Sequence, residues 1–337
     1  MDRIKGLLKK GETYFKKGEF GRASMTFSEA ISILGTKECD DDDQRLLSEI
    51  LRLLAFSDCR KGDYAIATVS ARKSMDISSA IGDKYGEADA LRRLGYIHWQ
   101  KADHAMALEF YDAALQKANE CKATDLVGKI TVEMANTYNH MMDVPKAEEH
   151  YRAAAAIFKR TKDTEELTRV YNNLGAMYLN SHQHKAAITV LKQCVRMADK
   201  TKDPTLKAWS RFNLAEGLIM IGKVHEALGH LKTAYDIIRK GDDLVALAAI
   251  HLFYGQAYIK LKEWSKARSH IQNALELEQR IGIPKTEGET LVEMGKMYLA
   301  KDDKEKARAY LDLAYKVYEK ADMKKQAAEV REMMAKF

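Results

Sequence analysis

The sequence predicts an all-α fold, a single solenoid of about eight helix-turn-helix repeats closed by a C-terminal capping helix. Three observations carry this. Only 3 of 337 residues are proline, while 46% are hydrophobic and 31% charged, a composition that suits helices throughout. A small residue recurs at Gly11, Ala55, Gly95, Ala135, Gly175, Ala215, Gly255 and Gly295, 44 apart once and 40 apart thereafter. Twelve residues after each of these stands alanine, without exception.

Let the first small residue of each unit be position 0. The alanines at +12 are Ala23, Ala67, Ala107, Ala147, Ala187, Ala227, Ala267 and Ala307. Position +19 is also small: Ala30, Ser74, Ala114, Ala154, Cys194, Ala234, Ala274, Ala314. Position +16 is large in seven units (Phe27, Tyr111, Tyr151, Leu191, Leu231, Ile271, Leu311), with Ala71 the exception. Position +3 is usually tyrosine: Tyr14, Tyr138, Tyr178, Tyr258, Tyr298. Two helices joined by a tight turn approach closely only where small side chains meet, and large residues one turn away fill the remaining space.

The elements follow in order. Repeats are expected over residues 4–46, 47–87, 88–127, 128–167, 168–207, 208–247, 248–287 and 288–325. Breakers mark the turn inside several units, at Gly18, Gly62 and Gly222. Others separate units: Gly82 with Asp83, Asp203 with Pro204, Gly241 with Asp242. The four extra residues between the first two units coincide with the acidic run Asp40 to Asp43, which is expected to be a solvated loop insertion. Residues 326–337 continue the register, with Ala335 at the next small position, and are expected to cap the last apolar face.

The order Leu-Gly, Tyr, Ala, large residue, Ala resembles the tetratricopeptide repeat, whose unit is usually about 34 residues. The 40-residue period here is similar to the extended repeats of kinesin light chains, Pins-type scaffolds and Rap-type regulators, and the likeness covers roughly residues 1–325. It implies a right-handed superhelix whose concave face is lined by the first helix of each unit.

Composition narrows the function. Net charge is +6 and evenly spread, without the basic block of a nucleic-acid arm. The stretch Arg92, Arg93, Lys129, Arg169 is interrupted by Asp89 and Glu133, so nucleic acid is an unfavoured partner. Cys39, Cys59, Cys121 and Cys194 are isolated, as thiols in a reducing compartment would be. No signal peptide or membrane span is read, so a cytoplasmic location is expected. No nucleotide-cradling glycine loop, zinc-protease helix or nucleophile elbow occurs. No catalytic residue, metal or cofactor is therefore assigned. His182 and His184 are expected to be solvated turn residues.

The expected function is a protein-interaction scaffold. At about 100° per residue, positions 0, −1 and +3 cluster on the packed side, which leaves −6, −3, −2, +1, +4 and +5 on or beside the opposite face. These positions hold Arg92, Tyr96 and Trp99, then Asn136 and Asn139, then Asn172, Asn173 and Asn180, then Trp209 and Asn213, then Gln256. Amides both donate and accept, which suits a peptide backbone, and aromatics offer pockets. Asn173 and Asn213 share position −2, which looks like the asparagine ladder of the extended-repeat scaffolds. The carboxylate clamp known in this repeat family also needs three cations at set positions. Here Val132 and Trp209 stand at two of these and Asn213 at the third, so acidic C-termini are rejected as ligands in this register. The alternative is a ligand-sensing regulator that binds a small peptide or sugar and changes shape. A homo-oligomer through the ends of the solenoid is a further expectation.

Overall fold

The computed structural model describes residues 2–35, 40–241 and 243–337. Among them are 17 helices and no strand. Cys39 and Asp242 lie outside the described residues. The helices are α1 (Asp2–Lys16), α2 (Phe20–Leu34), α3 (Asp41–Lys61), α4 (Tyr64–Ala80), α5 (Lys84–Gln100), α6 (His104–Glu120), α7 (Thr124–His140), α8 (Val144–Thr161) and α9 (Thr164–Asn180). They continue as α10 (His184–Ala198), α11 (Pro204–Met220), α12 (Val224–Ile238), α13 (Leu244–Lys260), α14 (Trp264–Ile281), α15 (Pro284–Ala300), α16 (Lys304–Lys320) and α17 (Lys324–Met334). The chain forms two compact units, Met1–Val170 and Tyr171–Phe337. Within the first, each helix from α1 to α8 packs on the next in sequence, and α5 also touches α3 and α7. Within the second, the same holds from α10 to α17, and α13 also touches α11 and α15.

The periodic columns are the core. All eight alanines at +12 are fully buried, as are the eight small residues at +19. The large residues at +16 are at most 1% exposed. The pairing of small with large is direct. A Cβ placed on Gly95 would sit 2.6 Å from the Tyr111 ring, and one on Gly295 2.8 Å from Leu311 Cγ. Gly11 faces Phe27, Gly175 faces Leu191 and Gly255 faces Ile271 in the same way. Helix approach at these crossings depends on the missing side chain.

The turns repeat as faithfully. Position +7 is left-handed in every unit: Gly18, Gly62 and Gly222, but also Ala102, Met142, His182, Lys262 and Asp302. In the third unit the Asp103 amide then reaches back to the His98 carbonyl at 3.0 Å, closing the helix end. Aspartates start many helices. Asp83, Asp163, Asp203 and Asp243 accept from the amide three residues on, at 3.0, 3.0, 3.1 and 2.9 Å. These caps stand twelve residues before position 0. Most first helices therefore begin about four residues ahead of the repeat limits drawn from the packing columns.

The acidic run is not a loop. Asp40 is the N-cap of α3 and accepts from the Asp43 amide at 2.8 Å, while Asp41, Asp42 and Asp43 form the first turn. Carboxylates are favoured there because the free amides and helix dipole present positive charge. Asp41, Asp42 and Asp43 extend α3 by three residues at its start relative to α5 and α7. His184 is likewise not a solvated turn residue. It opens α10, half-buried, with Nδ1 shielded from solvent and without a hydrogen-bond partner.

Candidate protein-interaction face

In the unit Met1–Val170 the first helices carry a contiguous aromatic row. Phe15 on α1 meets Phe56 on α3 at 5.0 Å between ring centres, Phe56 meets Tyr96 on α5 at 5.0 Å, and Tyr96 stacks on Trp99 at 5.6 Å. Trp99 meets His140 on α7 edge-on at 4.9 Å. Tyr96 and Trp99 are half-buried. The Tyr96 hydroxyl receives Gln100 Nε2 at 2.6 Å. The Trp99 indole N–H is shielded from solvent and has no acceptor.

Beside this row lies a buried ion network. Arg92 donates through Nε and Nη2 to Asp89 Oδ1 at 2.9 and 2.7 Å and through Nη1 to Glu133 at 2.5 Å. Arg52 Nε approaches the other Asp89 oxygen at 3.1 Å. The Arg93 guanidinium lies 4.4 Å over the Phe56 ring. Burial alone would raise the Asp89 carboxyl, but Arg92, Arg93 and Arg52 hold it well below the usual carboxylate range. Burial lifts Glu133 above its ordinary value despite Arg92. Arg92, expected from the sequence to face a ligand, is thus only 7% exposed and satisfied by this chain's own carboxylates. Lys129 pairs with Asp125 at 3.6 Å and Arg169 with Glu165 at 2.6 Å. The cationic stretch is therefore internally matched, as its interrupted sequence anticipates.

The amides divide similarly. The half-buried Asn136 accepts the Tyr151 hydroxyl at 2.6 Å through Oδ1. Asn139 is half-buried on α7. In the unit Tyr171–Phe337, Asn213 Nδ2 donates to Asn172 Oδ1 at 3.0 Å. The observed amide pair thus joins positions −2 and −3 of successive repeats. Asn173 is half-buried and Asn180 is exposed at the end of α9. Trp209 meets Phe212 edge-on at 5.3 Å, and Phe212 meets Phe253 at 4.8 Å. Phe212 and Asn213 are each 8% exposed. The expected face is more enclosed than helix angles alone imply, because α13 also touches α11 and α15.

A cleft in this unit lies further along the same face. Its volume is about 420 Å³, and it is walled by Phe253 and Gln256 on α13, Val292 and Glu293 on α15, and Glu329 and Met333 on α17. Gln256 Oε1 is buried there without a donor. Gln256 alone among the residues assigned from sequence lines this cleft. Glu289, Val292, Glu293 and Lys296 were missed although they occupy −6, −3, −2 and +1 in the eighth repeat. Glu329 and Met333 occupy −6 and −2 before Ala335. The signal was present in the continued register.

A tetratricopeptide-repeat profile matches residues 46–120, 126–200 and 246–320, more than half of the chain. The chain belongs to the tetratricopeptide-repeat family. Among relatives, this repeat protein is 23% identical over 164 residues to the regulatory protein RapF of Bacillus subtilis strain 168. That match spans 47% of this chain and 43% of RapF, so it covers less than half of the relative's length. Among solved structures, the apo form of the quorum sensor NprR from B. thuringiensis superposes with a TM-score of 0.71 at 13% identity, covering 93% of this chain and 87% of that one. The Rap conjugation gene regulator of the plasmid pLS20, solved with the Phr* peptide, superposes with a TM-score of 0.61 at 14% identity, covering 96% and 97%. These likenesses establish a shared helical-repeat fold. Among the described residues, no helix is long and apolar enough to cross a membrane.

Proposed function

We propose that this tetratricopeptide-repeat protein is a non-enzymatic interaction scaffold that holds an extended or helical segment of a partner protein along its first helices. The observation that carries this is the cleft over α13, α15 and α17, where Phe253, Val292, Val330 and Met333 line the same opening as the unpartnered acceptor of Gln256. A segment laid there buries apolar side chains and supplies the missing donor. Asn173, Asn180, Trp209 and the Asn172–Asn213 pair extend the same surface within the unit Tyr171–Phe337, while in the unit Met1–Val170 Arg92 and Asn136 make internal contacts that support the aromatic row there. Cys59, Cys121 and Cys194 are thiols, which supports a reducing compartment such as the cytoplasm.

A second reading is a peptide-sensing regulator. It is favoured by the shared fold with a quorum sensor and with a regulator solved with a peptide. Both readings place a peptide segment on the repeats and differ in whether its binding alters a second interaction.

Panning of a displayed random-peptide library on the wild-type protein tests the scaffold reading. Enriched segments should lose at least tenfold in affinity, about 1.4 kcal/mol, on Phe253→Ala with Gln256→Ala. Retention of full affinity by that double variant refutes the assignment.

A further inference from the structure

Next to the 420 Å³ cleft is a second pocket of about 150 Å³, which shares Leu252, Phe253 and Glu289 with it. Its walls are mainly apolar, from Ala249, Leu252 and Phe253 on α13 to Ile281 at the end of α14 and Ile283 just beyond it, with Thr286 and Glu289 also in the lining. One polar side chain of this lining is deeply buried. Glu278, on α14, is 3% exposed, yet its Oε2 has no hydrogen-bond partner. The Thr290 hydroxyl nearby is fully buried and also lacks a partner. An unpaired carboxyl in apolar surroundings costs several times what a paired one does.

The charges around it point one way. Of the residues lining the two openings, Glu278, Glu289, Glu293 and Glu329 are acidic and Lys296 is the sole cation. Lys296 is already engaged, with Nζ 2.5 Å from Glu293 Oε1. Burial lifts the Glu278 carboxyl to about 7; the nearby Thr290 hydroxyl, as a hydrogen-bonding neighbour, is the next influence and draws it down, and Glu289 and Glu287 add to the rise. Glu278 Oε2 and Gln256 Oε1, unsatisfied acceptors on residues that line the two openings, call for donors.

We propose that this pocket receives the ammonium group of a lysine side chain carried by the bound segment, with Glu278 as its counter-ion. The inference rests on the scaffold reading for the segment itself. The chemistry suits lysine over arginine. One free carboxylate oxygen matches a compact point charge, whereas a guanidinium asks for a two-oxygen fork. At about 30 Å³ per water, 150 Å³ holds roughly five non-hydrogen atoms, the size of a butylammonium stem. The four methylenes would lie along Leu252 and Phe253. Where Glu278 is protonated beforehand, binding releases that proton to solvent and leaves an ion pair.

The test uses n-butylammonium chloride as the probe and 1-butanol as its uncharged match, followed by ligand-observed NMR on the full chain. The wild type should bind the ammonium at least tenfold more tightly than the alcohol. Glu278→Gln, isosteric with the protonated acid, should lose that preference. Ala249→Leu, at a partly exposed position, should block the pocket without disturbing the fold, as circular dichroism would verify. Equal binding of amine and alcohol, or a preference retained in Glu278→Gln, overturns the proposal. Segments enriched by panning should weaken at least tenfold when a lysine is replaced by norleucine. Insensitivity to that change overturns lysine as the occupant. Failure of panning to enrich any segment removes the scaffold reading, while the butylammonium titration still decides the pocket.

Discussion

Replacing Gly175 by alanine tests whether the helix crossings, more than helix propensity, set stability. Gly175 sits mid-helix on α9, and a Cβ there overlaps Leu191 at both Cγ and Cδ2. Leu191 is fully buried and has nowhere to move. Overpacking of this kind costs about 1–3 kcal/mol, against a propensity gain of about 1 kcal/mol. The protein supplies its own control in Gly229, also mid-helix, where a Cβ meets nothing within 4 Å. Gly229→Ala should therefore stabilise by about 0.5–1 kcal/mol. Propensity cancels between the two variants, so their difference of about 1–3 kcal/mol reports the crossing alone. In a Leu191→Ala background the new methyl has room, and Gly175→Ala should turn stabilising. Urea denaturation by far-UV circular dichroism measures all four members of the cycle, with an unchanged m-value as the check on the denatured state. If Gly175→Ala stabilises as much as Gly229→Ala, the reading of the small-residue column as a packing requirement is wrong.

Three further outcomes are expected. Burial lifts Glu216 to about 7, so the folded state holds a proton that the unfolded state, at about 4.3, has lost. Glu216 should then make stability fall as pH rises from about 5 to 8, by up to about 3 kcal/mol, and Glu216→Gln should lessen the slope in thermal melts, with the similarly raised Glu278 supplying the part that remains. Arg92→Ala leaves Asp89 without its bidentate donor and Glu133 without its ion-pair partner, so unfolding in urea should show a loss of about 3–5 kcal/mol. Met142 is left-handed at φ 62° and 76% exposed. Met142→Gly should raise the unfolding free energy measured in urea by up to about 1 kcal/mol through relief of backbone strain, and a fall would show that its side chain packs after all.

The fold was legible because its information is redundant. Eight copies of one column pattern average away the ambiguity that a single helix pair would carry, and close packing forbids drift at +12 and +19. The turns were only partly legible. Glycine announces position +7 at 18, 62 and 222, but Ala102, Met142, His182, Lys262 and Asp302 adopt the same conformation unannounced. There the helix-closing hydrogen bonds and the packed columns on either side override a local preference worth about 1–2 kcal/mol. The acidic run misled for a related reason. Four aspartates in a row suggest solvation, yet a helix N-terminus gains from the same charges.

The binding face was less legible because its residues answer to two sets of neighbours. Helix angle separates Asn172 from Leu174 correctly, but cannot say that Asn172 will meet Asn213 of the next repeat. Nor can it say that Arg92 will be consumed by Asp89 and Glu133. Both contacts join side chains about 41 residues apart, one repeat plus one residue, so they follow from stacking between repeats and not from any one helix. Once satisfied internally, a polar group offers less to a ligand, since the internal bond must first be broken. The weight of the site therefore lies further along the chain. Where the amides are paired, the face is support. Where Gln256 and Glu278 keep unpaired acceptors beside open volume, the structure retains unspent hydrogen-bonding capacity. It is at those positions that a partner's donors gain most on binding.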